Sequence, residues 1–290
     1  MMQHYKLFLG IAVLVVAASW ACVLIFGLHP GADVTGGVEW QITFSGEAAP
    51  REVLAVFEEG GAKAQVSSKG ENIVIRTEAM SAAERAAHEA ALTERFGAFQ
   101  TMSFSSIGPA IGRELQRRSW WALGGVVAAI ALYVAWAFRK VSYRIPSWQY
   151  GAVAVIVLLH DVSVPLGVAA VLGRFGMFSF DTTVIVALLV VLGYSVNDTI
   201  VVFDRIREHL LDERRRTLPL RDIMSQSIRE TLPRSINTSG TTLATVAALL
   251  ILGPASLTPF LLTVLAGVIA GTASSLFFAP QLLYLLQRRD

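Results

Sequence analysis

Two carboxyl groups lie inside otherwise uncharged, apolar stretches of this sequence. Asp161 follows His160 in one stretch, and Asp198 follows Asn197 in the next. An ionisable side chain in the middle of a bilayer costs about 2.5–3.5 kcal/mol by insertion scales, so such residues are candidates for function. A carboxyl group that gains and loses a proton there could couple proton movement to a conformational change. The alternative is a structural role, in which the polar pairs only hold helices together.

The residues around Asp198 extend this candidate site along one helix. Tyr194, Asp198 and Arg205 occupy positions i, i+4 and i+11, which lie on one helix face. A guanidinium group cannot give up its proton, so Arg205 could tune or gate the titration of Asp198 but could not carry the proton. Arg205 could equally be an anchor whose charged end reaches the membrane surface.

Other chemistries have little support in the sequence. The zinc-protease motif HExxH does not occur, and no His/Cys cluster has metal-ligand spacing. No GK[ST] follows a glycine-rich segment, so a phosphate-binding loop is excluded. Ser163, Ser179 and Ser195 belong to no recognisable nucleophile motif. We therefore expect no enzyme activity, no metal site and no cofactor.

The elements that would position the two carboxyl groups are membrane helices. Of 290 residues, 54% are apolar and 16% are charged, whereas a soluble domain carries about 25% charged residues. The net charge of +2 is too small to suggest nucleic-acid binding. Six apolar blocks predict six spans of a polytopic α-helical membrane protein: Leu7–Leu28, Ser119–Phe138, Tyr150–Leu172, Thr182–Phe203, Ser235–Leu252 and Thr258–Leu286. The first block exceeds the apolar core of a cleaved signal peptide, which runs to about 15 residues.

The distribution of basic residues predicts the orientation. Most arginines outside residues 30–118 fall in segments that share one side with the N-terminus, and the two short loops on the other side hold only Arg174. By the positive-inside rule both termini are cytoplasmic and residues 30–118 lie outside. The predicted parts are a first span in 1–29, an outer domain in 30–118 and a five-helix bundle in 119–290.

A basic cytoplasmic segment, 205–234, contains a short amphipathic pattern. Leu220, Ile223, Met224 and Ile228 follow Pro219 at helical spacing. We expect a helix lying on anionic lipid, in preference to a binding site for a dedicated partner.

The outer segment alternates strand and helix patterns in the order βαββαβ, which predicts a ferredoxin-like α+β domain. Ser81 and Glu84 form a capping box at the start of its second helix. The predicted elements are strand Val38–Phe44, helix Pro50–Phe57, strands Ala62–Ser68 and Asn72–Thr77, helix Ser81–Phe96 and strand Ala98–Ser105. Such a sheet buries one face under helices and leaves the other either inert or free to bind.

Glycine-rich segments flank the outer domain on both sides. Both are predicted to be hinges or tight turns between the membrane and the domain. The hinge residues are Asp33, Gly36 and Gly37 on the first side, and Gly108, Pro109 and Gly112 on the second.

Several of these segments together resemble the SecD/SecF family of protein-export membrane proteins, of the resistance-nodulation-division superfamily. The most specific is Gly193–Glu208, which is similar to the fourth-span signature of that family. Similar motifs occur at Gly31–Gly37, with Val34 in place of Phe, at Ile107–Leu115, at His160-Asp161 and at Arg234–Thr242. The loop Gly173–Phe180, with Arg174, is longer and more basic than the family pattern, and the outer domain is short.

The resemblance implies a subunit of the SecD–SecF accessory complex of the Sec translocon, which promotes translocation driven by the proton-motive force. It implies a multi-pass protein of the bacterial inner membrane. Asp161, Asp198 and Arg205 would form the proton-responsive site, supported by His160, Tyr194, Asn197, Asp204 and Arg207. The implied partners are SecD, the SecYEG translocon, preprotein substrates and the lipid bilayer, with YajC as a further candidate. Six spans with one large loop also suggest half of a twelve-span assembly.

Two other functions compete with this one. A proton-coupled exporter of small molecules or lipids, from the same superfamily, would have a pocket in the outer domain. A purely structural membrane scaffold for the translocon would tolerate Asp198→Asn and Asp161→Asn.

Overall fold

A computed structural model describes residues 2–46, 48–69, 72–139, 144–176, 178–212 and 218–287. The elements in chain order are α1 (Tyr5–Phe26), α2 (Ala32–Thr35), β1 (Gly37–Phe44), α3 (Pro50–Glu59), β2 (Ala64–Lys69), β3 (Asn72–Thr77), α4 (Ala82–Phe96), β4 (Phe99–Ile107), α5 (Pro109–Ala137), α6 (Ser147–Arg174), α7 (Thr182–Leu211), α8 (Leu220–Leu252), α9 (Thr258–Phe277) and α10 (Ala279–Gln287). Among the described residues, six helical segments are long and apolar enough to cross a membrane. The predicted polytopic helical fold is confirmed.

Two compact units divide the chain. The first, the helical unit, comprises Met1–Gly27, Trp121–Val171 and Thr183–Asp290. The second, the outer unit, comprises Leu28–Trp120 together with Leu172–Thr182. The connection between α6 and α7 therefore clusters with the outer unit.

The second membrane helix begins earlier than expected, at Pro109. The carbonyl of Gly108 accepts hydrogen bonds from the backbone N–H groups of Ile111 and Gly112, at 3.0 and 3.1 Å. Pro109 suits the first helical turn because its missing N–H would have no partner there. Of the predicted hinge or tight turn at Gly108, Pro109 and Gly112, only Gly108 lies outside β4 and α5. Its role as a hinge stays a prediction.

The basic segment after α7 also differs from the prediction. Its apolar face, carried by Ile223, Met224 and Ile228, is buried in the main core cluster of the helical unit. Phe203 and Ile206 of α7 belong to the same cluster. The expectation of a separate helix lying on lipid is wrong, because this stretch is the first part of α8 and buries its apolar face against protein.

The outer unit contains a four-stranded antiparallel sheet in the order β2-β3-β1-β4. Together with α3 and α4 this gives the predicted βαββαβ arrangement. Alternate residues of β1 and β3 face the two helices, because side chains alternate across a strand. Trp40, Ile42, Phe57 and Ile75 are buried in the core between the sheet and the helices.

The start of the outer unit has the glycine geometry that a tight turn needs. Gly36 and Gly37 have φ angles of 76° and 132°, which favour glycine. A Cβ on Gly37 would lie 2.5 Å from the carbonyl oxygen of Thr77. Movement of the domain about these residues remains a prediction.

The connection between α6 and α7 packs within the outer unit. Phe180 and Gly31 exchange backbone contacts, with the Gly31 N–H donating to the Phe180 carbonyl at 2.8 Å. The Thr182 hydroxyl donates to the Asp33 carboxylate at 2.7 Å. Gly176 approaches Ser67 of β2, where its Cβ would lie 3.3 Å from the Ser67 Cβ. The segment between α6 and α7 therefore contacts both the start of the outer unit and the edge strand β2.

Candidate functional site

Asp161 of α6 is fully buried, and side chains from three membrane helices contact its carboxylate. The Nδ1 atom of His160 lies 2.8 Å from Oδ1. The hydroxyl of Ser274, in α9, donates to Oδ2 at 2.8 Å. Ser195 of α7 donates to the same oxygen. The carboxylate of Asp161 thus connects α6, α7 and α9.

Asp198 of α7 has a similar environment and is 7% exposed. Ser235 of α8 donates to Oδ1 at 2.7 Å. Ser275 of α9 donates to Oδ2 at 2.5 Å. Each of the two buried aspartates therefore accepts hydrogen bonds from two serine hydroxyls, and at least one of those serines lies on α9.

Sequence reasoning missed the serines of this site. Ser274 and Ser275 are adjacent in an otherwise apolar helix, and adjacent helical positions differ by about 100° around the axis. Each can therefore face a different carboxylate. The signal in the sequence that could have identified these partners is the pair of adjacent serines in a membrane span. Ser195 was noticed only as lacking a nucleophile motif, and its role as a hydrogen-bond donor depends on the fold.

The electrostatic setting of the two carboxylates is unusual. Among the described residues, no lysine or arginine contacts Asp161 or Asp198, and the only ionisable neighbour is His160. Burial disfavours the charged form of a carboxyl group, whereas donated hydrogen bonds favour it. The contacts of these two carboxylates are therefore with serine hydroxyls and the His160 ring.

Arg205 does not join this arrangement. Its Nε atom lies 2.5 Å from a carboxylate oxygen of Glu230, in α8, and its guanidinium also contacts Glu208. Asp198 is bonded to Ser235 and Ser275 instead. Within the part of the chain that the structure describes, Arg205 joins α7 to α8 and does not contact Asp198.

Glu230 is the centre of a second polar cluster. The Nε2 atom of buried His209 lies 3.2 Å from Oε2 of Glu230, and Gln226 donates to Oε1 at 2.8 Å. Nδ1 of His209 lies 3.0 Å from the Ser227 hydroxyl. Gln226, Ser227 and Glu230 belong to α8, so spacing along α7 could not group them with Arg205.

The remaining supporting residues have different surroundings. Tyr194 donates to Ser239 at 3.0 Å, and Ser239 lies 2.6 Å from the Thr272 hydroxyl. Asn197 is exposed on α7. Asp204 is exposed and pairs with Arg207 at 3.1 Å. The structure therefore brings His160 to Asp161, whereas Tyr194, Asp204 and Arg207 contact residues other than the two aspartates.

The residues that the structure describes form no metal centre. Among those residues, no group of three or more His, Cys, Asp or Glu side chains could hold a metal ion. The polar groups around the two aspartates are serine hydroxyls and the His160 ring.

Comparison with known proteins identifies the family. The family described as "Protein export membrane protein SecD/SecF, C-terminal" matches residues 87–289. The chain belongs to the SecD/SecF family. The resemblance seen in its motifs is confirmed, and this SecD/SecF family member is a membrane protein.

Alignments with related proteins extend over almost the whole of this SecD/SecF family member. A protein translocase subunit SecF from Thermobaculum terrenum is 37% identical over 97% of this chain and 91% of its own length. A crystal structure of SecDF, a translocon-associated membrane protein from Thermus thermophilus, matches with a TM-score of 0.88 and 30% identity. A SecDF structure in a super-membrane-facing form matches with a TM-score of 0.70 and 28% identity. Both matches cover 99% of this chain but only 38% of the SecDF chain.

Proposed function

We propose that this chain is a membrane subunit of a protein-translocation complex, and that protons bound at Asp161 and Asp198 drive its conformational changes. The observation that carries the proposal is the pair of buried aspartates, each held by serine hydroxyls from neighbouring membrane helices. Support comes from relatives that are named protein translocase subunit SecF.

The hydrogen bonds suggest how a proton would act on the helices. A serine hydroxyl has one hydrogen to donate and two lone pairs that accept. Ser275 donates to Asp198, and the carbonyl of Thr272 lies 3.0 Å from the same hydroxyl. When Asp198 takes up a proton, its carboxyl group becomes a donor. Ser275 then accepts that hydrogen bond and turns its own hydrogen to the Thr272 carbonyl.

The same exchange is available at Asp161. Ser274 donates to the carboxylate, and the carbonyl of Gly271 lies 3.0 Å from its hydroxyl. Both exchanges occur on α9, so protonation of the two aspartates changes how α9 is bound to α6 and α7. One elementary charge moving through 100 mV supplies about 2.3 kcal/mol, which is comparable with hydrogen bonds to a charged group, at about 1.5–3 kcal/mol.

The exposed polar residues of the membrane helices support a partner subunit. Asn197 on α7 and Asn237, Thr238 and Thr241 on α8 are exposed. Polar side chains in a membrane span face the interior of a bundle or an aqueous cavity. We propose that a second helical subunit, SecD, covers this face within an assembly that includes SecYEG and acts on preproteins. YajC is a further candidate partner.

The proposed orientation has both termini in the cytoplasm and the outer unit on the opposite side. It rests on the positive-inside rule, because Arg205 and Arg207 lie in the last turns of α7 and Arg229 lies in the first part of α8. Asp204 and Arg207 then form an ion pair at the cytoplasmic end of α7.

Export from inverted membrane vesicles tests the proposal. Asp161→Asn and Asp198→Asn keep the side-chain size and remove proton binding, so we expect the stimulation of export by an imposed proton gradient to be lost. Asp222→Asn, at an exposed position at the start of α8, is the matched control and should retain it. Full stimulation in the double variant Asp161→Asn, Asp198→Asn would contradict the proposal and favour a scaffold role.

A further inference from the structure

A groove is lined by residues of α3 and α4 in the outer unit. Its volume is about 550 Å³, within the range of about 300–1,000 Å³ typical of ligand sites. Small apolar side chains form part of its wall, and charged side chains stand around it. The apolar ones are Val56, Ala87 and Ala91, and the charged ones are Glu59, Glu84, Glu94 and Arg95.

His88 is the buried polar side chain of this groove. It is 7% exposed, and its ring stacks on Phe57 with 4.4 Å between centroids and 17° between planes. Among the described residues, none forms a hydrogen bond with its ring nitrogens, although the ring lines the groove. Gly60 leaves room for the ring, because a Cβ there would lie 2.6 Å from Cε1 of His88.

The side chains around the groove carry a net negative charge. Arg95 is paired with Glu59 at 3.1 Å, which leaves Glu84 and Glu94. Glu84 accepts a hydrogen bond from the Ser81 backbone N–H at 2.6 Å, and this bond lowers the pKa of Glu84. Its carboxylate is therefore charged at neutral pH. An acidic ligand would be repelled, whereas a basic one would be attracted.

We propose that this groove binds a lysine- or arginine-bearing segment of an extended polypeptide. The apolar wall fits the methylene stems of long basic side chains. Glu84 and Glu94 are ten residues apart on α4, about 15 Å along the helix, so two basic side chains of the segment would pair with them, one with each. A neutral His88 has one ring nitrogen that accepts a hydrogen bond from an ammonium or guanidinium group. The choice of a polypeptide as the ligand rests on the proposed function, because a translocation subunit meets unfolded chains on its outer side.

Peptide binding to the full chain in nanodiscs of zwitterionic lipid tests this assignment. The probes are two fluorescent peptides rich in Gly, Ser and Ala, one with spaced lysines and one with glutamates at the same positions. Anisotropy should rise with the lysine peptide alone, and added salt should weaken its binding because exposed charge pairs are screened. Empty nanodiscs correct for binding to lipid.

Matched variants locate the binding. Glu84→Gln with Glu94→Gln should weaken the affinity for the lysine peptide about fivefold, as expected for two exposed charge pairs. Glu58→Gln, an exposed neighbour outside the groove, should leave it unchanged. His88→Phe keeps a ring on Phe57 and removes the ring nitrogens, so it should also weaken binding. Equal binding of both peptides, or an unchanged affinity in the Glu84/Glu94 variant, would overturn the assignment.

Comparison of the peptide-binding results with the export assay tests this assignment separately from the proposed function. If no lysine peptide binds while Asp198→Asn abolishes gradient-stimulated export, the groove assignment alone fails. If the lysine peptide binds as described while Asp198→Asn leaves export unchanged, the groove remains a polypeptide site and the proton-driven function fails.

Discussion

Ser275 donates a hydrogen bond to Asp198 from a different membrane helix, 77 positions further along the chain. The same hydroxyl lies 3.0 Å from the Thr272 carbonyl within its own helix. One serine thus connects the charge state of a carboxyl group in α7 to the internal hydrogen bonding of α9. Ser274 has the same relationship to Asp161 and the Gly271 carbonyl.

Removal of the Ser275 hydroxyl should destabilise the helical unit. Ser275→Ala leaves one oxygen of a buried carboxylate without its donor, and we expect a loss of about 1.5–3 kcal/mol in the free energy of unfolding. Thermal unfolding of the purified chain in mild detergent measures it. Ser256→Ala, at an exposed position before α9, is the control. Equal melting temperatures for the two variants would show that the bond contributes nothing.

The contacts of Arg205 predict a modest structural contribution. Its side chain is 34% exposed and pairs with the 30% exposed side chain of Glu230. A double-mutant cycle with Arg205→Ala and Glu230→Ala should therefore give a coupling energy below about 1 kcal/mol. Arg205→Lys should retain gradient-stimulated export if the residue only anchors α7 to α8. Loss of export in Arg205→Lys with unchanged stability would instead assign it a gating role.

Close packing of α7 and α9 should make Gly267 intolerant of a side chain. A Cβ at this position would lie 2.2 Å from Cγ2 of Val191. We expect Gly267→Ala to destabilise the chain by about 1–3 kcal/mol, the usual cost of overpacking. Gly240→Ala is a matched control in α8, because its Cβ would meet nothing within 4 Å. Similar melting temperatures for these two alanine variants would contradict the close approach.

The capping box of α4 predicts a pH-dependent stability of the outer unit. The backbone N–H of Ser81 lowers the pKa of Glu84 below its ordinary value of 4.5. A lowered pKa in the folded state means that the stabilisation is present above pH 4.5 and is lost as the pH falls through the folded-state pKa. Amide hydrogen exchange of α4 in the full chain, compared between acidic and neutral pH, measures this loss.

The variant Ser81→Ala is the comparison for the hydrogen-exchange measurement on α4. The Ser81 hydroxyl accepts a hydrogen bond from the Glu84 N–H at 3.3 Å. Its removal should cost about 1 kcal/mol, as for other N-cap residues, and should speed exchange in α4 at neutral pH. Glu84→Gln should remove the difference between acidic and neutral pH. A pH dependence that persists in Glu84→Gln would assign it to another group.

Local patterns were enough to predict the outer unit. Trp40 and Ile42 alternate with polar residues in β1, and the Ser81–Glu84 pair marks the start of α4. These signals lie within a few residues of one another, so they do not depend on the rest of the fold. At Gly108–Gly112 glycine and proline predict a hinge or tight turn, and α5 begins within this stretch. Proline is also favoured at the start of a helix, and α5 uses it in that way.

The aspartates could be predicted from sequence, but their partners could not. Asp161 and Asp198 stand out as carboxyl groups in apolar stretches, whereas Ser274 contacts Asp161 across 113 positions. A serine in a membrane helix usually bonds to its own backbone, so its type alone does not indicate a carboxylate partner. Arg205 was grouped with Asp198 because helical spacing relates residues of one helix. Its actual partner Glu230 comes from the next helix.

The backbone contact between Gly31 and Phe180 joins the segment between α6 and α7 to the start of the outer unit. The chain enters this unit after α1 and leaves it through α5, while the segment between α6 and α7 is joined to it by Gly31 and Asp33. The outer unit therefore contains a segment that is covalently continuous with α6 and α7, the helices that carry Asp161 and Asp198. In the proposed function, a pull on the outer unit and protonation of the two aspartates would act on the same two helices.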